Sequence, residues 1–266
     1  MIGLILKAIN LEKKVQHRVH FVRDKMDRRG LLIHNLGLVS LVINFIVGTT
    51  AMSDGLKLYL VPFFSYCLYQ FITCAVTCAS MDPGYITQKT LDQNVKDAPL
   101  YASHQSFTDP VPECGFCCYP KPVRSHHCGT CDLCVERFDH HCPYLDNCIG
   151  ANNFPYFFKS NMYAFTMEWL ALSFWLKSII CQTVFTSFNI KRNVLNYFVM
   201  ILTAVYQLGG SIFNARVFFR TVYLTFKGQT LVEKKKKINF GLKPKDAYKL
   251  FLGKNWAWFL IRTGKR

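Results

Sequence analysis

Eight of the chain's twelve cysteines and four of its eight histidines fall between Cys114 and Cys148, and this concentration restricts the fold more than any other feature. Written out, the segment is Cys114-x2-Cys117-x9-His127-Cys128-x2-Cys131-x2-Cys134-x4-Asp139-His140-His141-Cys142-x5-Cys148. A C-x2-C knuckle brings two thiolates to one ion at about 2.3 Å from a single tight turn, and structural zinc takes four Cys or His ligands. Two knuckles, Cys114/Cys117 and Cys128/Cys131, therefore ask for two ions and eight ligands. The segment holds twelve candidates, so four are spare, and spacing does not choose them uniquely. One Cys3His assignment uses Cys114, Cys117, His127 and Cys134 for the first ion and Cys128, Cys131, His141 and Cys148 for the second. Cys118, His126, His140 and Cys142 are then left over.

A disulfide framework is the competing explanation, but it needs an oxidising compartment and usually a signal peptide. The apolar start MIGLILKAIN is too short for a signal h-region, lacks a cleavage site and is followed by basic residues. Metal ligation or thiol chemistry on the reducing side of a membrane is expected instead. Among the spare residues, Asp139-His140-x-Cys142 has the composition of an activated thiol. A carboxylate holds an imidazole in one tautomer, the imidazole takes the thiol proton, and the thiolate attacks a carbonyl. By itself a Cys two residues after a His is a weak signal.

The rest of the chain points to a membrane. Lys and Arg number 32 against 16 Asp and Glu, a net charge of +16, on a chain that is 51% hydrophobic and only 18% charged. A basic total raises nucleic acid as a partner, but so apolar a balance fits a membrane protein with basic ends, and no nucleic-acid partner is expected. Residues 31–50 form an apolar run of about 20 residues, enough to cross a ~30 Å hydrocarbon core. Residues 56–79 make a second run, 161–186 a third that contains Glu168 and Lys177, and 194–226 a fourth with Arg216 and Arg220 near its end. Open backbone cannot face lipid, so all four are expected as helices. Eight basic residues precede the first run and twelve follow the fourth, whereas 51–55 carries none and 187–193 only Lys191 and Arg192. The positive-inside rule then places both termini and the segment between the second and third spans in the cytosol.

The expected architecture is an all-α membrane protein with four transmembrane helices and a cytosolic two-zinc domain between the second and third. Its parts are a basic N-terminus (1–30), spans one and two (31–79), the cysteine-rich domain (80–159), spans three and four (160–226) and a basic tail (227–266). Glu168 and Lys177 lie nine residues apart on opposite helix faces. Glu168 is expected to bond within the bundle, with His34, Asn35 or Asn44 as partners. Lys234 to Lys237 form a juxtamembrane cluster attracted to anionic lipid at about 1 kcal/mol per charge, and Trp256, Trp258 and Phe259 are expected to anchor the tail. No internal repeat is visible.

The run DHHCPYLDNCIG at 139–150, preceded by KPVRSHHCGTCDLC at 121–134, resembles the cysteine-rich domain of the DHHC protein S-acyltransferases, or palmitoyltransferases. Asp82-Pro83-Gly84, Gly150-x2-Asn153-x3-Phe157 and Thr230-x2-Glu233 extend the likeness along the chain. The resemblance implies that Cys142 accepts the acyl group, that His140 is its base, that Asp139 orients His140, and that the two Cys3His sets above hold two structural zinc ions. It also implies a reaction: Cys142 attacks the thioester of palmitoyl-CoA or a similar acyl-CoA, releases CoA, and passes the acyl group to cysteines of membrane-associated proteins. The setting would be an endomembrane, Golgi or endoplasmic reticulum. Tyr144 stands where the family has Trp and Leu231 where it has a second Thr, while Asn239-Phe240-Gly241, Asp246, Tyr248 and Gly253 give only a loose version of its tail motif.

Burying a ~16-carbon chain at about 0.8 kcal/mol per methylene suits a membrane enzyme. Each Cys3His zinc site carries a formal charge near −1, which disfavours a polyanionic CoA. Basic side chains must therefore receive its phosphates, and Lys121 and Arg124 are the candidates, with Arg137, Arg216 and Arg220 in reserve. A catalytically silent membrane adaptor is the alternative function. A RING-type ubiquitin ligase lacks its terminal C-x2-C pair here.

Overall fold

A computed structural model describes residues 39, 42, 45–46, 54–86, 113–118, 121–185 and 194–253. The N-terminus (1–30), most of the first expected span, with His34, Asn35 and Asn44, and the tail aromatics Trp256, Trp258 and Phe259 lie outside the described residues. In chain order the elements are α1 (Asp54–Ser80), β1 (His126–Cys128), β2 (Leu133–Val135), β3 (His140–Cys142), β4 (Asn147–Ile149), α2 (Phe154–Phe185), α3 (Val194–Lys227), α4 (Leu231–Lys235) and α5 (Pro244–Leu252). The fold is mostly helical, but the all-α expectation needs one correction: the cysteine-rich segment is built from two antiparallel hairpins, β1–β2 and β3–β4.

Among the described residues one helix, Gly55–Ser80, is long and apolar enough to cross a membrane, with a mean hydropathy of 1.4. Helices α2 and α3 have 32 and 34 residues, about 48 and 51 Å at 1.5 Å per residue. Helix α2 begins seven residues before the apolar run that announced it. Its first turn is set by Asn153, whose carbonyl accepts the N–H of Phe157, and by Pro155, whose missing N–H costs nothing in a first turn.

The chain divides into two compact units. One comprises Leu32–Cys74 and Phe158–Val222. Its described core gathers Phe45, Phe64, Cys67, Tyr163, Met167 and Ala171, with Phe45 stacked on Phe64 at 3.7 Å between centroids. Glu168 does bond within this unit: among the described residues it accepts from Gln207 Nε2 (2.8 Å) and Asn214 Nδ2 (3.3 Å) of α3, while its expected first-span partners lie outside them. Those two residues are seven apart, two turns along one helix face, and Gly210 lies between them, its Cβ position 3.3 Å from Glu168 Oε1.

The other unit joins Ala75–Phe157 to Tyr223–Arg266 together with the N-terminal residues. Its core is Tyr85, Cys128, Cys131, Leu133, Val135, Phe138 and Cys148, with Val232 packed against it. Gly150 holds the hairpins against the Asp82-Pro83-Gly84 turn. A Cβ there would lie 2.5 Å from both the Pro83 carbonyl oxygen and Val135 Cγ1, so no other residue fits. Asp82 Oδ1 accepts the N–H groups of Gly84 (2.8 Å) and Tyr85 (2.9 Å), an Asx-type turn that lets Gly84 take a positive φ of 105°.

Candidate functional site

The two hairpins share one plan. In β1–β2, His127 faces Cys134; in β3–β4, His141 faces Cys148. Each cross-strand His/Cys pair meets the C-x2-C knuckle that precedes its hairpin, giving two sets, Cys114-Cys117-His127-Cys134 and Cys128-Cys131-His141-Cys148. Within each set all ligand atoms lie within 4.8 Å of one another. Each set can hold a metal ion, and the donor chemistry fits: tetrahedral bonds of about 2.3 Å separate sulfurs by roughly 3.7 Å, and Cys131 and Cys148 Sγ stand 3.5 Å apart. The imidazoles turn Nδ1 inward, His127 to Cys117 Sγ at 3.3 Å and His141 to Cys131 Sγ at 3.5 Å. Their outer Nε2 atoms face Asp132 (3.5 Å) and Asp146 (3.9 Å), the outward carboxylate that orients a ligating histidine. Tyr85 Oη adds a hydrogen bond to Cys131 Sγ at 3.7 Å.

The plan repeats every 14 residues, contrary to the expectation of no repeat. Cys114, Cys128 and Cys142 are corresponding first knuckle positions, and Cys117, Cys131 and Leu145 the second. Cys118, Asp132 and Asp146 follow, all left-handed with φ of 55°, 55° and 44°. Cys118 is therefore a turn residue. Cys142 opens a third knuckle whose second cysteine has become Leu145. It keeps the knuckle's amide donors: the Leu145 and Tyr144 N–H groups hydrogen-bond its sulfur, as the Cys131 N–H does for Cys128 Sγ at 3.4 Å. These donors favour the thiolate form of Cys142, which belongs to neither four-ligand set.

Strand parity does the rest. Alternate residues of a strand share a face, so His140 and Cys142 point one way and the ligand His141 the other. Asp139 Oδ2 lies 2.7 Å from His140 Nδ1, and the ring hydrogen-bonds Cys142 in turn. Burial alone would depress the His140 imidazolium, but its bonds to Asp139 and Cys142 more than offset that and raise it to about 9. Burial would raise the Cys142 thiol, yet the His140 contact and the two amides bring it below its ordinary value. Phe157 closes the far side of the ring edge-on at 5.1 Å. The sequence-predicted trio Asp139, His140 and Cys142 is thus brought together, with Asp139 and Cys142 buried and His140 half-buried, and only 5% of Cys142 exposed.

Surrounding motifs fix this geometry. Asn147, opposite Cys142 in β4, donates to the end carbonyls of α1 and its exit, Cys78, Ala79 and Met81, at 3.1, 3.2 and 2.8 Å. Asn153 donates to the carbonyls of Cys148 (2.8 Å) and Cys78 (3.2 Å) and accepts from the Gly150 N–H (2.9 Å). Thr230 and Glu233 form a reciprocal capping box at α4. The next amide, Leu231 N–H, donates to the second oxygen of Asp139 at 2.7 Å. Because the backbone makes that contact, Leu in place of Thr leaves it intact.

Arg124, expected at the CoA phosphates, is engaged within the fold. Its Nε and Nη2 bond both oxygens of Glu233 at 2.7 Å, and Nη2 also reaches the Gly228 carbonyl at 2.8 Å. The guanidinium is buried, with the Phe240 and Phe251 rings 4.7 and 5.5 Å away. It ties the cysteine-rich segment to the tail. Arg137 does the same through the carbonyls of Leu250 and Ala151. The loosely matching tail thus serves as a cover, with Phe251 packed edge-on against Phe154 at 4.9 Å. Lys121 instead shares a basic patch with Lys236 around His126, whose Nδ1 lies 3.4 Å from Lys236 Nζ. Burial and these two ammoniums push the His126 imidazolium down to about 4.

Residues 109–238 match the family model described as DHHC palmitoyltransferase. The curated relative Palmitoyltransferase ZDHHC5 of Homo sapiens is 37% identical over 134 residues, 45% of this chain and 19% of the relative. Palmitoyltransferase ZDHHC5-A of Danio rerio is 34% identical over 104 residues, 37% of this chain and 14% of the relative. The matched stretch thus spans about a fifth or less of the length of these relatives. With the two four-residue sets and the carboxylate, imidazole and thiol of the third knuckle in place, residues 109–238 are similar to the DHHC palmitoyltransferase domain.

Proposed function

We propose that the chain is a protein S-palmitoyltransferase, and the observation that carries this is the incomplete third knuckle, with Cys142 bound to an Asp139-oriented His140. The Cys142 proton passes to His140, Sγ bonds to the carbonyl carbon of a long-chain acyl-CoA, and the bond to the CoA sulfur breaks. CoA leaves as the thiol, taking the proton from His140. A cysteine thiol of a membrane-associated protein then attacks the Cys142 thioester, with His140 serving again as base. The two Cys3His sets hold zinc in a structural role, each with four protein ligands and no open position, ordering a segment too short to build its own core. The residues 31–50, α1, α2 and α3 form four spans, with both termini and the zinc domain cytosolic in an endomembrane. Incubation of the purified chain with labelled palmitoyl-CoA is expected to give a hydroxylamine-labile label that Cys142→Ser lacks. No label on the wild type would favour the silent adaptor.

The CoA phosphates fall to Lys121 and Lys236, the pair that faces His126, rather than to Arg124. Lys121→Ala/Lys236→Ala is expected to raise the apparent KM for palmitoyl-CoA roughly tenfold, equivalent to about 1.4 kcal/mol of lost binding, with kcat little changed. Steady-state kinetics check this, and an unchanged KM removes the pair from the site.

A further inference from the structure

Beyond the acyl-transfer centre, we infer that the junction of α3 with the tail is a binding site for an anionic phospholipid. A groove of about 520 Å³ is lined there by Tyr223, Phe226 and Lys227 from the last turns of α3 and by Gly241, Leu242 and Pro244 from the tail. That volume lies in the ~300–1,000 Å³ range of small-ligand sites. Its floor is apolar and open: Tyr223 and Phe226 are 52% and 47% exposed, and Gly241 adds no side chain. Its inner wall is firm, because a Cβ on Gly228 would lie 2.9 Å from Leu242 Cβ and 3.2 Å from Ala247 Cβ.

The charge beside the groove identifies the occupant: Lys227 lines it, and Lys234 reaches its Tyr223 ring. The ammonium groups of Lys227 and Lys234 both converge on the Tyr223 ring, 5.9 and 5.4 Å from its centroid. Two like charges at one ring gain from the aromatic quadrupole but repel each other, and an anion beside them relieves that repulsion. The segment 223–253 carries eight lysines and two acids. Of the acids, Glu233 is bound to Arg124 and Asp246 does not line the groove. Half-exposed aromatics and lysines at the end of a long apolar helix also have the composition of a headgroup-level belt. A phosphate beside these ammoniums, with its acyl chain along Phe226, Leu242 and Pro244, satisfies both the charge and the apolar floor.

The inference rests on α3 being a membrane span but not on catalysis, so it is tested in the full chain carrying Cys142→Ser, delipidated in detergent. Native mass spectrometry is run with equal amounts of phosphatidylserine and phosphatidylcholine. About tenfold preferential retention of phosphatidylserine is expected. Lys227→Gln/Lys234→Gln should reduce that preference to under twofold, Lys227→Arg/Lys234→Arg should keep it, and Leu242→Trp, which fills the groove, should cut retention of either lipid severalfold. Both lysines are exposed, and two metal ions per chain in each variant verify the fold. Equal retention of the two lipids by the unsubstituted groove overturns the inference, as does a preference surviving the glutamine pair. Displacement of the phospholipid by equimolar palmitoyl-CoA would assign the groove to the substrate and overturn it too. Retention of neither lipid would remove the membrane assignment along with it.

Discussion

Glu233→Ala is expected to destabilise the cysteine-rich unit by about 3–5 kcal/mol, because it leaves a buried guanidinium without its counter-ion. Among the described residues Arg124 has no alternative partner of equal strength: the Gly228 carbonyl takes one nitrogen, and the flanking faces are the Phe240 and Phe251 rings. The same substitution removes half of the capping box that fixes α4, and with it the placement of the Leu231 N–H on Asp139. Folding and acylation should therefore fall together. Removing both charges, as in Arg124→Met/Glu233→Met, should recover much of the stability, since apolar pairs of similar volume replace buried ion pairs at little cost. Denaturant midpoints followed by metal release from the full chain in detergent distinguish these cases. Equal midpoints for wild type and Glu233→Ala would show that the pair holds nothing.

His140→Ala is expected to slow formation of the acyl-enzyme by roughly 10²–10⁴-fold, the range of a positioned general base, while metal content stays at two per chain. The separation of these two effects follows from strand parity. His140 and His141 are neighbours in sequence but project to opposite faces of β3, one toward Cys142 and the other into the second ligand set. His141→Ala should do the reverse and release metal first. Autoacylation rates and zinc counts on the same preparations check both, and metal loss from His140→Ala would show that the histidine is a ligand.

The sequence made the four left-over residues of the cysteine-rich segment visible but not the reason for each. Twelve donors for eight places is a counting problem, and counting does not contain the alternation of β3, which decides between His140 and His141. The 14-residue repeat is hard to read from the sequence because its third copy keeps Cys142 but carries Leu145 at the second cysteine position, and the left-handed turn shared by Cys118, Asp132 and Asp146 is a backbone feature. The pairing of Arg124 is not legible in the sequence for a different reason. A basic residue beside a metal segment resembles an anion ligand until its partner is known, and Glu233 lies 109 residues away. Helix α3 was legible to within a residue, since a continuous apolar run defines its own limits. The start of α2 was not, because Asn153 and Pro155 begin the helix before the apolar run does. Glu168 was expected inside a bundle from its charge, and its bonds to Gln207 and Asn214 required the register of two helices.

The central claim is that the protein has two metal-holding knuckles and a third whose lone cysteine is the nucleophile. Its most direct test combines zinc counting with peptide mass mapping after brief exposure to palmitoyl-CoA. The expected result is two zinc ions per chain and a single thioester on Cys142, with Cys142→Ser retaining both ions and carrying no acyl group. An acyl group mapped to another cysteine, or a zinc ion lost from Cys142→Ser, would contradict it.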